Sequence, residues 1–160
     1  RGAFRHRRCL IPTSGFYEGK TETRAKKPYK QPYRVHFTDQ RLMVTAGLFE
    51  VWHAADGSAL GSCSMLTTTA SETMSALHPR MPVVLDSEDE WDAWLSPRAE
   101  PGVLLSLCQP FESRDFAFHA VDRRVGQVRN ESPDLLHPID AAAALELQAR
   151  DAKPSQGNLF

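Results

Sequence analysis

Only three cysteines occur in the 160 residues, Cys9, Cys63 and Cys108. They are odd in number and far apart, so they make neither a disulfide framework nor a zinc-ligand spacing. They read as free thiols of a reducing cytoplasm. No run of about 18 apolar residues is present, which excludes a membrane-spanning helix, and no basic-then-apolar leader is visible. A Gly-rich phosphate loop, an H-E-x-x-H pair, a G-x-S-x-G elbow and a readable Ser-His-Asp or Cys-His arrangement are all missing. Nothing therefore calls for a metal or a cofactor. An excess of one charge is lacking too, since 19 Lys/Arg stand against 20 Asp/Glu.

What is present is ordinary globular composition, 41% hydrophobic and 24% charged, of a length that suits one domain or part of one. The near-neutral total hides an asymmetry. Residues 1–30 hold nine Lys/Arg against Glu18 and Glu22, whereas residues 86–100 hold six acids against Arg98. A basic end on a neutral chain suggests a surface facing a polyanion, with a solvated flexible arm as the alternative. The acidic stretch reads as helix chemistry. Ser87 and Glu90 have capping-box spacing, Glu88–Glu90 suit the first turn, and Trp91, Trp94 and Leu95 share one face.

Strands are expected at Arg8–Pro12, Pro32–Phe37, Leu42–Trp52, Ser62–Thr69, Pro82–Leu85 and Phe116–Val121, where apolar and polar residues alternate or β-branched residues gather. Lys20–Lys30 is polar and without period, and reads as a loop. Helical turns are expected at Ser71–Leu77 and Pro101–Leu107, and a good helix former runs from Ala141 to Ala152. Strands outnumber helices and lack a βαβ alternation, so the class is α+β with a mostly antiparallel sheet.

Two positions suit chemistry. Glu18 follows Gly15-Phe16-Tyr17, and a carboxylate against apolar rings loses hydration, which disfavours its charged form and equips it to carry protons. The alternative is an exposed glutamate paired with Lys20 or Arg24. His78 lies in Leu77-His78-Pro79-Arg80-Met81-Pro82, where prolines fix the backbone. Arg80, two residues on, falls on the same side of an extended segment. A His beside an Arg fits an anionic ligand, the Arg holding a phosphate while the His moves a proton. The alternative is a histidine that only hydrogen-bonds the backbone. His6, His36, His53, His119 and His137 show no ligand spacing.

These residues resemble the SOS response-associated peptidase (SRAP) family. Arg7-Arg8-Cys9-Leu10-Ile11-Pro12 with Gly15-Phe16-Tyr17-Glu18 is similar to its R-R-C-(L/I)-x-P-x-x-G-F-Y-E-W segment. Leu77-His78-Pro79-Arg80-Met81-Pro82 is similar to its (I/L)-H-x-R-M-P motif. Ala46-Gly47-Leu48-Phe49-Glu50 resembles its A-G-L-(W/F)-E strand, and Val125–Asn130 with Pro133 its V-(N/G)-x-(V/P)-(R/K)-N-x-x-P tail. The resemblance implies a barrel-like antiparallel core with short flanking helices over residues 1–140, followed by a helix and tail over 141–160.

Members of that family shield abasic sites in single-stranded DNA. A cysteine at the mature N-terminus attacks the opened sugar aldehyde with its amine and thiol and closes a thiazolidine ring. Carried over, the resemblance gives Glu18 and His78 the acid–base roles and Arg80 a backbone-phosphate contact. Thr67 lies where the family has a small polar residue at the site. The family name implies a peptidase, which fits self-removal of a leading methionine better than digestion of other proteins.

The departures set further expectations. The family's Met-Cys-Gly-Arg start and Asn-Ala-Arg-x-Glu segment are not found here, so a piece lacking the N-terminal third of the domain is expected, with a degraded relative as the alternative. Cys9, Cys63 and Cys108 cannot supply an α-amine and a thiol on one residue, so the chain as given is expected to be inactive. Gly19 stands where the family has tryptophan. Gln156, Leu159 and Phe160 resemble the Q-x-x-L-F peptide that holds the bacterial β sliding clamp. The rival readings are a non-covalent single-stranded DNA binder and a clamp-tethered module without catalysis.

Overall fold

The structure, a computed structural model, describes residues 2–24 and 26–140. The expected helix from Ala141 and the Gln156–Phe160 tail lie outside the described residues. In chain order the elements are α1 (Gly2–His6), β1 (Arg8–Thr13), β2 (Phe16–Arg24), β3 (Lys27–Phe37), β4 (Met43–His53), β5 (Ala59–Met65), β6 (Thr67–Thr69), α2 (Glu72–Ser75), β7 (Arg80–Pro82), α3 (Glu88–Leu95), α4 (Pro101–Ser106) and β8 (Phe116–Ala120). Single 3-10 turns follow at Arg123–Gly126 and Pro133–Leu136. The class is α+β, as expected. The chain divides into two units, Arg1–Phe16 with His36–Ala117, and Tyr17–Val35 with Phe118–Phe160.

In the first unit β4 is the central strand. It runs antiparallel to β1, from Arg8 opposite Leu48 to Thr13 opposite Met43, and antiparallel to β5, from Gly47 opposite Met65 to His53 opposite Ala59. Gly47 answers a close approach: a Cβ there would lie 2.7 Å from Ile11 Cδ1 and 2.9 Å from Cys9 Sγ. Ala46, Val83, Leu85, Trp94 and Leu104 form the core cluster. Helix α3 starts where the capping pattern predicts. Ser87 Oγ accepts the Glu90 N–H at 3.3 Å, and Glu90 Oε2 reaches back to the Asp86 N–H at 2.7 Å. Its apolar face is narrower than expected, because Trp94 is fully buried while Leu95 is 46% exposed.

The Ser62–Thr69 stretch is two strands rather than one. At Leu66 the chain changes partner: its N–H donates to Ala46 O, and its own carbonyl accepts from Val83 N. One edge of β4 is thus shared, with β5 along residues 47–53 and with the segment around Val83–Leu85 lower down, where Ala46 N donates to Val83 O and Leu85 N to Val44 O. Strands β6 and β7 pair with each other as a separate ladder. The described sheets, of three, three and two strands, therefore do not close, and the barrel-like expectation is corrected to open sheets.

Arg8 departs most from its sequence reading. It is 9% exposed. Its guanidinium donates to four carbonyls: Trp94 O at 2.6 Å, Ser96 O at 2.6 Å, Phe4 O at 2.8 Å and Arg5 O at 2.5 Å. Helix ends leave carbonyls without intrahelical partners, and Arg8 serves the ends of both α1 and α3. Arg7 is ion-paired with Glu50 at 2.6 Å. Two of the cations in the basic N-terminal stretch are therefore structural.

Most of the sheet of order β2-β3-β8 belongs to the second unit. Lys20–Lys30 is not a loop but most of a hairpin, in which Lys26, just before β3, has φ of 65°. A hydrophobic face does not announce these strands, because a polar clip holds them: Glu22 accepts the Tyr29 hydroxyl at 2.7 Å and the Tyr33 hydroxyl at 2.5 Å. The two hydroxyls hold the Glu22 carboxyl below its ordinary range. Burial, and then the bond to Glu22, push the Tyr33 hydroxyl up to about 12. A raised phenol favours the folded state below the ordinary value of 10 and loses that contribution as the pH climbs towards 12. An absorbance titration at alkaline pH should show a late phenolate step near 12 that Tyr33→Phe removes; the same late step in the variant contradicts the clip.

Candidate anion-facing hairpin

The β6–β7 hairpin pairs Thr67 with Pro82, Thr68 with Met81 and Thr69 with Arg80. Strand alternation turns Met81 inward, where it is fully buried, and leaves Thr67, Thr69 and Arg80 exposed. Arg80 is diagonal to Thr67, and the two are joined. Arg80 Nε donates to Thr67 Oγ1 at 3.1 Å, and its Nη2 donates to Thr67 O at 2.8 Å and to Oγ1 at 2.5 Å. No carboxylate pairs with Arg80 among the described residues, so its charge is held in place yet open to an anion.

His78 enters the hairpin from α2. Ser71 caps that helix, and the His78 N–H donates to Met74 O at 3.0 Å. The ring then lies on the backbone of Arg80: Nδ1 is 3.1 Å from Arg80 O and 3.2 Å from Arg80 N. One tautomer donates Nδ1–H to the carbonyl, and the other accepts the N–H. In both the imidazole stays on Arg80. His78 thus hydrogen-bonds the backbone and stays beside Arg80.

Sequence reasoning passed over Glu112. It accepts the Thr73 hydroxyl at 2.6 Å and the Thr73 N–H at 3.1 Å, which ties the start of α2 in place and so positions the segment that delivers His78. Those bonds hold its carboxyl below the ordinary range. A link across 39 residues has no local signature in sequence.

Glu18 is carried by the second unit, on β2. It is half-buried, and its Oε1 accepts the Gly19 N–H at 2.9 Å. Tyr17 beside it is 43% exposed. Gly19 is not demanded by the backbone. A Cβ there would sit 3.7 Å from Lys30 Cδ, an ordinary contact. The thiols differ in setting: Cys63 is exposed, whereas burial pushes the Cys9 and Cys108 thiols up.

Fold and hairpin together define an antiparallel α+β protein with an exposed guanidinium held in place and an imidazole beside it. Comparison with known proteins gives the family. The sequence profile of the family described as "SOS response associated peptidase (SRAP)" matches residues 1–128. The chain belongs to the SRAP family. It is 37% identical over 131 residues to the abasic site processing protein YoqW of Bacillus subtilis (strain 168), covering 81% of this chain and 57% of that one. It is 32% identical over 151 residues to the abasic site processing protein HMCES of Xenopus tropicalis, covering 85% and 44%. The chain thus spans about half the length of these relatives. Among solved structures, a Bacteroides thetaiotaomicron protein superposes with a TM-score of 0.76 at 22% identity, covering 87% of this chain and 60% of that one. A Bordetella bronchiseptica protein gives 0.64 at 25% identity, covering 76% and 58%. Among the described residues no helix is long and apolar enough to cross a membrane.

Proposed function

We propose that this chain is the phosphate-holding and proton-moving part of a protein that processes abasic sites in single-stranded DNA. The observation that carries this reading is the exposed Arg80 guanidinium, clamped by Thr67 with the His78 ring on its backbone. An arginine contacts a phosphate whatever the base, and a lesion without a base has no edge to read. With Nδ1 accepting the Arg80 N–H, the proton sits on Nε2 of His78, which gives it to the opened sugar oxygen. Glu18 moves protons during Schiff-base and ring chemistry. The relatives' names, abasic site processing proteins, support the same substrate.

The covalent step assigned to the family needs an α-amine and a thiol on one residue. Cys9, Cys63 and Cys108 are internal, and two of them are further held back by burial. This 160-residue chain should therefore shift an abasic single-stranded oligonucleotide on a native gel and leave no band that survives denaturation. A denaturation-resistant adduct overturns the assignment of the nucleophile, and no native shift overturns the reading itself. The reducing surroundings implied by three free thiols support a cytoplasmic setting. Gln156, Leu159 and Phe160 complete the proposal as a clamp-binding peptide that tethers the protein where single strands are exposed.

A further inference from the structure

Away from the hairpin, a cavity of about 790 Å³ opens between α1 and the segment that joins α3 to α4. Its walls combine two chemistries. Leu104, fully buried, and Phe4, half-buried, give an apolar interior, while Arg5, His6 and Arg98 are exposed at the rim. Among the described residues neither guanidinium has an ion pair or hydrogen bond. Glu100 is the one acid of the lining, against the two arginines. The cavity is also built rather than incidental. Arg8 fastens the carbonyls of Phe4 and Arg5 on one wall to those of Trp94 and Ser96 on the other, and Phe4 is set edge-on against Trp94 at 5.8 Å. Preorganised walls reduce the ordering cost of binding.

We propose that this cavity is a second single-stranded DNA subsite, taking one base-bearing nucleotide. The base lies in the apolar interior against Phe4, and the flanking phosphates meet Arg5 and Arg98. The volume falls in the range of small-ligand sites, and an aromatic wall with a cationic rim is the pairing by which single strands are held without sequence preference. Charge complementarity selects a polyanion, since Arg7 and Arg8 of the same stretch are engaged within the fold and Arg5 is not. The inference rests on the proposed DNA reading and extends it to an intact nucleotide elsewhere on the strand.

The test uses the whole chain with a fluorescein-labelled oligothymidylate, read by anisotropy over a salt series. Each single-strand phosphate released lowers the log–log salt slope by about 0.7, so Arg5→Ala/Arg98→Ala should lower it by about 1.4 and weaken binding roughly tenfold or more. Both side chains are exposed, and an unchanged melting curve certifies the fold. Deoxyadenosine 5′-monophosphate should displace the oligonucleotide at lower concentration than deoxyribose 5-phosphate; equal displacement means a bare phosphate site and overturns the proposal. So does a wild-type slope in the double variant. If Arg80→Ala alone weakens binding, the cavity fails and the hairpin stands. If the double variant alone does, the hairpin reading fails and the cavity stands. If neither does, both fail.

Discussion

Arg8→Ala should cost about 3–5 kcal/mol of folding stability, because the buried guanidinium takes several hydrogen bonds with it, and bonds to a charged group are worth about 1.5–3 kcal/mol each before relaxation. Four carbonyls lose a hydrogen bond at once, those of Phe4, Arg5, Trp94 and Ser96, the last keeping the Ala99 N–H. Each buried acceptor left without a partner costs about 1–3 kcal/mol, less where water enters. The guanidinium also stands 5.9 Å over the Trp94 ring, so packing goes with the bonds. Against a typical total of about 5–15 kcal/mol, such a loss leaves much of the protein unfolded on modest heating. Arg8→Lys should recover only part of it, because an ammonium has three donors on a compact head and not a planar fork. Urea denaturation measures all three proteins. A midpoint for Arg8→Ala equal to wild type would contradict the structural role and return Arg8 to the surface.

Trp94→Ala should be as damaging, about 3–5 kcal/mol, the range for emptying a large aromatic site in a core. Trp94 is 0% exposed and packs among Ala46, Val83, Leu85 and Leu104. Its Nε1–H donates to Cys9 O at 3.0 Å, so α3 is bonded to β1 as well as packed on it. Trp94→Phe keeps most of the volume and loses that bond, and should fall between. Arg8, on β1, donates to Trp94 O on α3 and stands over its ring, so the double variant should lose less than the two singles added, by about 0.5–3 kcal/mol. Strict additivity in denaturant midpoints would mean that the two act independently.

The parts of the fold that local chemistry encodes were legible before the structure. The Ser87–Glu90 cap is one, since a serine three residues ahead of a glutamate before an apolar face has one efficient use. The strand spanning Met43–His53 is another. What failed did so for reasons of partner, not propensity. Lys20–Lys30 looks like a loop because neither face is apolar, yet Glu22, Tyr29 and Tyr33 supply a polar substitute for a hydrophobic face. Arg8 looks like a solvated cation because its partners, backbone carbonyls more than 80 residues away in the chain at Trp94 and Ser96, carry no side-chain signal. Ser62–Thr69 looks continuous because the switch at Leu66 is written in neighbouring strands.

The candidate site shows the same division. His78 and Arg80 were legible as a pair from spacing and prolines alone. That Thr67 is the residue clamping Arg80 follows from the register of β6 against β7, which no short window contains. Glu112 required knowledge of where α2 begins in space. For Glu18 the structure shows a half-buried side chain on β2 that accepts the Gly19 N–H.

The central claim is that Arg80 holds a strand phosphate. Its most direct test is the salt dependence of binding to a single strand with one stable abasic analogue, for wild type and Arg80→Ala. Loss of one phosphate contact should reduce the log–log slope by about 0.7 and weaken binding by roughly tenfold at moderate salt, equally for any flanking sequence. A variant with the wild-type slope and affinity would mean that the guanidinium clamped by Thr67 meets no phosphate.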